Sequence, residues 1–320
     1  MVKTVRYNKE EILKVANKYN FQRDIFEKSL RIKDIIDFFQ IDNVLQNHFL
    51  LKGGTAINLV FLDLPRLSVD IDMDYYPNDD KNTMISNRET ITERIKESML
   101  EQGYQLSNIR HSHSLDSFVF RYKNAGGNND VLKIELNYSL RAHVLQPSRL
   151  PIISDAFGTK TLIYTVNPVE VNASKINALL NRIASRDLYD VYNFTKFNHD
   201  KIDKNLLRKT ALFYGAISSK NNNYLDLNSI DKISFKKIRS ELFPTLAIRE
   251  TRKTFDLEVV KHEVKTFLKE LLNRTVSEKE FLEKFKMGIY EPELLFEDLE
   301  IINRIKEHPM AIYRCNRNNV

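Results

Sequence analysis

Acidic and apolar side chains alternate in the segment VDIDMDYY, residues 69–76. Successive side chains of a strand point to opposite faces, so Asp70 and Asp72, with Asp74 beyond them, share one face and the apolar residues share the other. Carboxylates this close repel unless a cation lies between them. Two carboxylates two residues apart suit a pair of divalent cations in phosphoryl or nucleotidyl transfer. Oxygen ligands favour Mg²⁺ or Mn²⁺ over zinc.

A glycine turn precedes this acidic segment. Gly53 and Gly54 follow a short apolar run, and residues 55–62 are apolar enough for a buried helix. Glycine lets the backbone approach a phosphate, and the N–H groups at the start of a helix face an anion. A tight turn and a solvated edge strand would explain either half alone. The two halves together, at this spacing, favour phosphate chemistry.

These two motifs resemble the nucleotidyltransferase-like toxins of the abortive-infection AbiEii/AbiGii type, which are distant relatives of transferases with the polymerase-β fold. The matching residues are Lys52, Gly53, Gly54, Thr55, Ala56, Arg66, Ser68, Asp70, Ile71 and Asp72. The resemblance implies that the phosphates of a nucleoside triphosphate bind at the turn, and that Asp70 and Asp72 hold Mg²⁺. It also implies that Arg66 and Ser68 contact or position the nucleotide. Polymerase-β-fold enzymes usually have Gly-Ser at this turn, and Gly54-Thr55 keeps the hydroxyl.

A third carboxylate lies in the predicted strand VLKIELNY, residues 131–138. Polymerase-β-like transferases place a third acid on such a strand, where it binds metal or deprotonates the attacking hydroxyl. By this resemblance Glu135 is the candidate, although the family usually has aspartate there. A lone glutamate at a sheet edge is the alternative, and the sequence does not decide between them.

A second informative stretch is PVEVNASKINALLNRIASRDLYDVYNF, which begins at Pro168 and predicts two helices. Lys175 and Arg182 are seven apart and share a helix face, as do Asp187 and Asp190. The family has a helical lysine followed by Arg-Asp-x-x-Asp, here Arg186-Asp187-x-x-Asp190. By resemblance, Lys175 contacts the triphosphate, and Asp190 orients Lys175 or stabilises the site, with Asp187 the weaker choice. An ordinary salt bridge between two packed helices is the alternative.

Composition sets outer limits on the function. The 320 residues are 42% hydrophobic and 29% charged, with a net charge of +6, which indicates a globular protein and permits a nucleic-acid partner. One cysteine, Cys315, excludes a disulfide within the chain and fits a reducing, cytoplasmic location. The N-terminal residues do not resemble a signal peptide, and no apolar run approaches the roughly 20 residues of a membrane span.

The expected fold is α+β. It has a polymerase-β-like nucleotidyltransferase core, a small mixed sheet with flanking helices, and a helical C-terminal half. Residues 1–165 are expected to form the core with its N-terminal helices, and 166–320 a helical domain that closes the active-site cleft. We expect a last helix over 292–305 and a frayed tail over 313–320. Six basic residues of the helical half could line a groove for RNA phosphates: Lys236, Lys237, Arg239, Arg249, Arg252 and Lys253. A solvated helix face is the alternative explanation of these charges.

The resemblance implies a toxin of a toxin–antitoxin or phage abortive-infection system. It would move NMP from an NTP to an RNA acceptor, with the tRNA 3′ end favoured, and so block translation. A cognate antitoxin, often a winged-helix regulator, would be encoded nearby. One alternative is a transferase that places NMP or phosphate on Ser, Thr or Tyr of a protein. Another is an inactive module that binds only a nucleotide or a partner.

Overall fold

The computed structural model describes residues 7–77, 79–158, 161–197, 199–218, 225–248 and 254–318. The chain forms two compact units. The first comprises Met1–Arg141, Ser148–Thr165 and Pro244–Arg252; the second comprises Ala142–Pro147, Val166–Phe243 and Lys253–Val320. The predicted division into domains at residues 1–165 and 166–320 stays a prediction, because two compact units need not be two separate domains.

A seven-stranded sheet is the centre of the first unit, in the order β3-β4-β5-β2-β1-β7-β6. Its strands are β1 (Phe49–Leu51), β2 (Asp70–Tyr75), β3 (Gln105–His111), β4 (Leu115–Lys123), β5 (Asn129–Asn137), β6 (Ser148–Pro151) and β7 (Leu162–Thr165). The pairs β2–β5 and β1–β7 are parallel and the others antiparallel. The mixed sheet that the sequence predicts is confirmed, and the acid-bearing strand β2 lies at its middle.

Alternation of side chains gives β4 and β5 one buried and one open face. Phe118, Phe120, Leu132 and Ile134 are at most 1% exposed, while the residues between them are exposed or half-buried. Helices cover the buried face, where Arg88 donates to the buried Asp116 carboxylate. The open face of these strands carries the polar side chains.

The described residues of the first unit form four α-helices: α1 (Lys9–Lys18), α2 (Arg23–Ile41), α3 (Gly53–Ala56) and α4 (Lys81–Glu101). The short α3 continues as a π-helical turn over Ile57–Phe61. Asn8 caps α1, since its side chain accepts from the backbone N–H groups of Glu10 and Glu11 at 2.8 and 3.2 Å. These helices pack on a core that continues through the sheet.

The described part of the second unit is helical. Its helices are α5 (Pro168–Arg182), α6 (Ser185–Phe197), α7 (Lys204–Ser218), α8 (Phe235–Lys237), α9 (Leu257–Leu271), α10 (Val276–Lys286), α11 (Leu299–Ile305) and α12 (Pro309–Asn318). A π-helical turn, Ile238–Leu242, follows α8. The helix α5 packs against α6 and α7, and the Asn177 amide of α5 donates to the Ala211 carbonyl of α7 at 3.0 Å. None of the described helices is both long and apolar enough to cross a membrane.

Two predictions near the C-terminus are wrong. The helix predicted over 292–305 is a 3₁₀ turn, Pro292–Leu294, followed by the shorter α11. The predicted frayed tail is helical to Asn318, because Ala311 and Cys315 lie one helical turn apart and are buried. Of the basic residues predicted to line a groove, Arg249, Arg252 and Lys253 lie outside the described residues.

Candidate active site

The acids of β2 differ in exposure although they share a face. Asp70 and Asp72 are half-buried, and Ile71 and Met73 between them are buried, as the alternation predicts. Asp74 is only 3% exposed and forms an ion pair with Lys52, which precedes the glycine turn. A buried carboxylate with a cation beside it costs far less than an unpaired one. Two acids of the row, Asp70 and Asp72, therefore remain at the surface of this face.

The glycine turn lies directly against one of these carboxylates. The backbone N–H of Lys52 donates to the Asp72 carbonyl at 3.0 Å. Gly53 has φ +68°, and a Cβ added to it would lie 2.6 Å from Oδ2 of Asp72. Both the left-handed backbone and the close approach require glycine here. The sequence thus holds a bare backbone turn and the Asp72 carboxylate in contact.

Three residues predicted to bind the nucleotide are buried at this turn and just before β2, and their role in binding stays a prediction. Thr55 is fully buried; its hydroxyl donates to the Asp70 carbonyl at 2.5 Å and lies 2.6 Å from the Ser68 hydroxyl. Arg66 is 2% exposed, occupies the space where a Cβ on Gly54 would lie, and donates to the Leu67 carbonyl at 3.0 Å. As placed, these side chains position the turn and the start of β2.

Glu135 lies beside Asp72 on the adjacent parallel strand. The register pairs Asp72 with Glu135 and Asp70 with Lys133, and neighbouring strands are about 4.8 Å apart. Lys133 Nζ forms an ion pair with Oε1 of Glu135 at 2.7 Å. No group of three or more His, Cys, Asp or Glu side chains within the described ranges is arranged to hold a metal ion. The role of Glu135 as a third ligand stays a prediction.

The donor set still fits a magnesium-type cation. Mg²⁺ in phosphate-transferring enzymes is commonly held by one or two carboxylates together with substrate phosphates. Asp70 and Asp72 supply two such carboxylates on one face, and the glycine turn at Gly53 brings the backbone against Asp72. The chemistry of these residues therefore suits a cation that is completed by a bound triphosphate.

A closed ion cluster lies in the second unit. Nζ of Lys175 on α5 is 2.7 Å from Oδ1 of Asp187 and 2.9 Å from Oδ2 of Asp190, both on α6. All three side chains are buried. Burial by itself raises the pKa of Asp187, but Lys175 and Arg182 outweigh it and hold that pKa well below its usual range. The structure thus brings these three residues together in a salt bridge between packed helices, which was the alternative for them, and their role at an active site stays a prediction.

The turn between α5 and α6 explains why these residues meet. Ile183 ends α5 in the left-handed conformation, with φ 55°, and α6 begins two residues later. Asp187 then lies in the first turn of α6, where the helix dipole favours a negative charge. Arg182, in the last turn of α5, donates from Nε to Oδ2 of Asp187 at 2.5 Å.

Sequence reasoning missed three cations that pair with the candidate acids. Lys52 pairs with Asp74, Lys133 with Glu135, and Arg182 with Asp187. Each of them left a signal in the sequence: Lys52 directly precedes the glycine pair, and Arg182 shares a helix face with Lys175. Lys133 shares a strand face with Glu135, which alternation alone shows.

The two units thus each bring together part of the predicted set. The first unit gathers Gly53, Gly54, Thr55, Arg66, Ser68, Asp70, Asp72 and Glu135; the second gathers Lys175, Asp187 and Asp190.

The model of a protein family described as "Nucleotidyl transferase AbiEii toxin, Type IV TA system" matches residues 29–285. This match spans most of the chain. The chain belongs to the AbiEii family. No curated protein sequence matches it.

Among solved structures, the chain is similar to MenT4, a nucleotidyltransferase toxin from Mycobacterium tuberculosis H37Rv. The two share 16% identity with a TM-score of 0.63, over 96% of this chain and 99% of that one. A protein from H. pylori, provisionally described as a nucleotidyltransferase, is also similar: 17% identity and a TM-score of 0.49, over 80% of this chain and 95% of that one.

The family membership confirms two predictions made from the sequence. The fold is that of the nucleotidyltransferases, and the chain is a nucleotidyltransferase toxin of a toxin–antitoxin system. A nucleoside triphosphate substrate and a cognate antitoxin follow from membership of this family.

Proposed function

We propose that this toxin uses Mg²⁺ or Mn²⁺ to transfer NMP from a nucleoside triphosphate to RNA, with the tRNA 3′ end as acceptor. The observation that supports this most directly is the contact between the Gly53 turn and the Asp72 carboxylate, with Asp70 on the same face. A phosphate site and a cation site are thereby adjacent. Loss of acceptor-end function in tRNA would block translation.

Different residues of the first unit would bind the phosphates of the donor and the cation. Backbone N–H groups at the glycine turn would face the phosphates, and Asp70 and Asp72 would hold the cation. Thr55, Ser68 and Arg66 would keep the turn and the carboxylates in register, because they are buried beneath the turn. The bound cation would neutralise the phosphate charge that increases during transfer.

In the chemical step, an acceptor hydroxyl would attack the α-phosphate. The new bond joins the acceptor oxygen to the α-phosphorus, the bond to the β-phosphate oxygen breaks, and pyrophosphate leaves with the electron pair. Glu135 lies beside Asp72 in the strand register, where its carboxylate could accept the proton of the hydroxyl. For this, Glu135 must exchange its contact with Lys133.

Lys175 would serve as a point charge for the triphosphate, with Asp190 orienting it and Asp187 supporting it. A flexible ammonium group suits such a role. Asp187 and Asp190 fix the position of Nζ of Lys175. Without these carboxylates, burial of the ammonium charge would destabilise the protein. Closure of the active-site cleft by the helical half, the cytoplasmic location and control by an antitoxin encoded nearby complete the proposal.

The test is to incubate the protein with total RNA, Mg²⁺ and each α-³²P-labelled nucleoside triphosphate in turn. Asp72→Asn is compared with Asp63→Asn, which makes the same chemical change at an exposed position of the first unit. We expect label on small RNA from one preferred triphosphate, lost in Asp72→Asn and kept in Asp63→Asn. Omission of Mg²⁺ and Mn²⁺ should also abolish it.

The other outcomes decide between the alternatives. Label on protein alone would replace the RNA acceptor by a protein acceptor. Label in a parallel γ-³²P reaction, with none from the α-labelled donor, would indicate phosphate transfer. No label with any triphosphate, and toxicity in cells that survives Asp72→Asn, would mean that the chain acts by binding.

A further inference from the structure

Half of the sheet in the first unit has an open face. On the acid-bearing side, the strand register aligns side chains into rows across β3, β4 and β5. One row is Arg110–Ser117–Glu135, a second is Asn108–Val119–Lys133, and a third is Gln105–Arg121–Val131. We call these nine residues, with Lys123 and Asn129 at the end, the open face. Each of them is exposed or half-buried.

The open face is strongly positive. It carries Arg110, Arg121, Lys123 and Lys133 against one acid, Glu135. Glu135 is paired with Lys133. The side chains of Arg110, Arg121 and Lys123 form no ion pair with any residue that the structure describes. A surface on which cations outnumber acids creates a positive potential that attracts a polyanion.

This face is continuous with the candidate catalytic carboxylates. Asp72 extends the first row on β2, and Asp70 extends the second. Arg110 is therefore three strands from Asp72, about 14 Å at the usual strand spacing. On β5, Val131 lies four residues before Glu135, about 13 Å along the strand. Arg121 of β4 is paired with Val131 and therefore lies at a similar distance. A chain bound across the open face would lead directly to Asp70 and Asp72.

The shape and composition of the face favour the backbone of a nucleic acid over its bases. No aromatic side chain lies in its rows; Phe118, Phe120 and Tyr122 point to the other side of the sheet. Stacking platforms for bases need such rings. At its far end the face borders a cavity of about 1030 Å³, whose wall includes Gln105, Arg121 and Lys123 of the face together with Tyr7 and Tyr122 from beyond it. The face thus offers cations and concave space.

We propose that the open face binds the phosphate backbone of the RNA acceptor and guides its 3′ end to Asp70 and Asp72. This inference rests on the proposed function, and it specifies where the acceptor lies. Because its contacts are phosphate contacts, binding is independent of base sequence and weakens as salt rises. Selection of one acceptor then depends on its end and shape.

The test uses the double variant Arg121→Glu/Lys123→Glu in the full chain. Its matched control is Lys14→Glu/Lys81→Glu, which makes the same charge change at exposed helix positions of the first unit. We measure NMP transfer to RNA as a function of RNA and of triphosphate, and RNA binding by anisotropy at several salt concentrations. Circular dichroism and thermal melting verify that each variant folds.

We expect KM for RNA to rise about tenfold or more in Arg121→Glu/Lys123→Glu, while KM for the triphosphate stays within about twofold. The slope of log K against log salt should fall by roughly 1.4, which is two single-strand phosphate contacts. The control should change neither value. A base-composition series should show the same loss for each RNA.

Three results would overturn the proposal. Equal RNA kinetics in the variant and its control would show that the acceptor lies elsewhere. If KM for RNA is unchanged in the variant but the antitoxin no longer inhibits it, the open face binds the antitoxin and not the RNA. Wild-type protein that labels no RNA would refute the proposed function itself, and the position of an RNA acceptor with it; this outcome is recognised before any variant is made.

Discussion

The two carboxylate clusters of this toxin contain the same chemical groups in opposite environments. Asp70 and Asp72 lie half-buried on a sheet face, against a backbone turn that only glycine can form. Asp187 and Asp190 are buried at 1% and share Lys175 between them. We call the first the open cluster, because its carboxylates are half-buried at a sheet face, and the second the closed cluster, because its carboxylates are buried and paired with Lys175.

The two clusters therefore have different effects on binding and on stability. Half-buried carboxylates at a sheet face can bind a ligand cation, and the binding of that cation stabilises the native state. A buried carboxylate with its own cation is costly only when the cation is removed. The open cluster should therefore govern activity, and the closed cluster should govern stability.

The largest expected effect is on activity at the open cluster. Asp70→Asn should reduce kcat for NMP transfer by about 10³-fold, because a cation ligand and its charge are lost. Circular dichroism verifies that the variant folds. A variant that keeps more than a tenth of the wild-type rate would contradict the role of Asp70. Asp63→Asn is the matched control.

Removal of the cation from the closed cluster should have the largest effect on stability. Lys175→Met leaves Asp187 and Asp190 buried with Arg182 as the remaining partner of Asp187, and should lower the free energy of unfolding by about 3–5 kcal/mol. Urea denaturation measures this. Lys269→Met, at an exposed position of α9, is the control and should change stability little.

This variant also tests the second role proposed for Lys175. If stability is unchanged and KM for the triphosphate rises instead, the lysine binds the donor and its carboxylate contacts are of minor importance. If stability falls and KM in the surviving folded fraction is unchanged, the cluster is structural.

Sequence patterns predicted which residues share a strand or helix face better than they predicted which side chains and strands pair. Alternation in residues 69–76 placed Asp70 and Asp72 on one face, and helical spacing placed Asp187 and Asp190 on one face, because both signals are short-range. Only the family resemblance joined Lys175 to these two acids. Burial of Thr55 and Arg66 was not predictable, since it depends on how the turn packs against β2. The pairing of Glu135 with Asp72 needs the strand order, which the sequence alone does not contain.

The close approach of the turn to Asp72 gives a sharper test of the open cluster. Gly53→Ala should lower the unfolding free energy by about 2–3 kcal/mol and impair transfer, because the new Cβ meets Oδ2 of Asp72 in a backbone region unfavourable for alanine. Gly127→Ala is the matched control. Gly127 has φ +85° with no atom within 4 Å of an added Cβ, so only backbone strain of about 1 kcal/mol is expected. Equal losses in both variants would show that the contact with Asp72 is unimportant.

A smaller effect should appear with pH at the closed cluster. The native pKa of Asp187 lies well below its usual range, since Lys175 and Arg182 outweigh the effect of burial. Its contribution to stability is then fully present above the unfolded value, about 3.9, and is lost as the pH falls below it. Unfolding measured from pH 7 to pH 2 should show a shallower acid-side decline in Asp187→Asn than in wild type. Identical slopes would mean that another carboxylate controls acid stability.

The smallest effect is expected at Thr55, which connects the turn to the start of β2. Thr55→Val keeps the shape but removes the hydroxyl, so the Asp70 carbonyl loses its donor and the buried Ser68 hydroxyl loses its acceptor. A loss of about 1–2 kcal/mol in unfolding free energy follows, while Thr55→Ser, which keeps the hydroxyl, should lose less. KM for the triphosphate decides what the hydroxyl does. Little change in KM would show that Thr55 acts through the position of Asp70. A tenfold rise, with stability kept, would show that this hydroxyl reaches the donor phosphates and that the turn opens when the nucleotide binds.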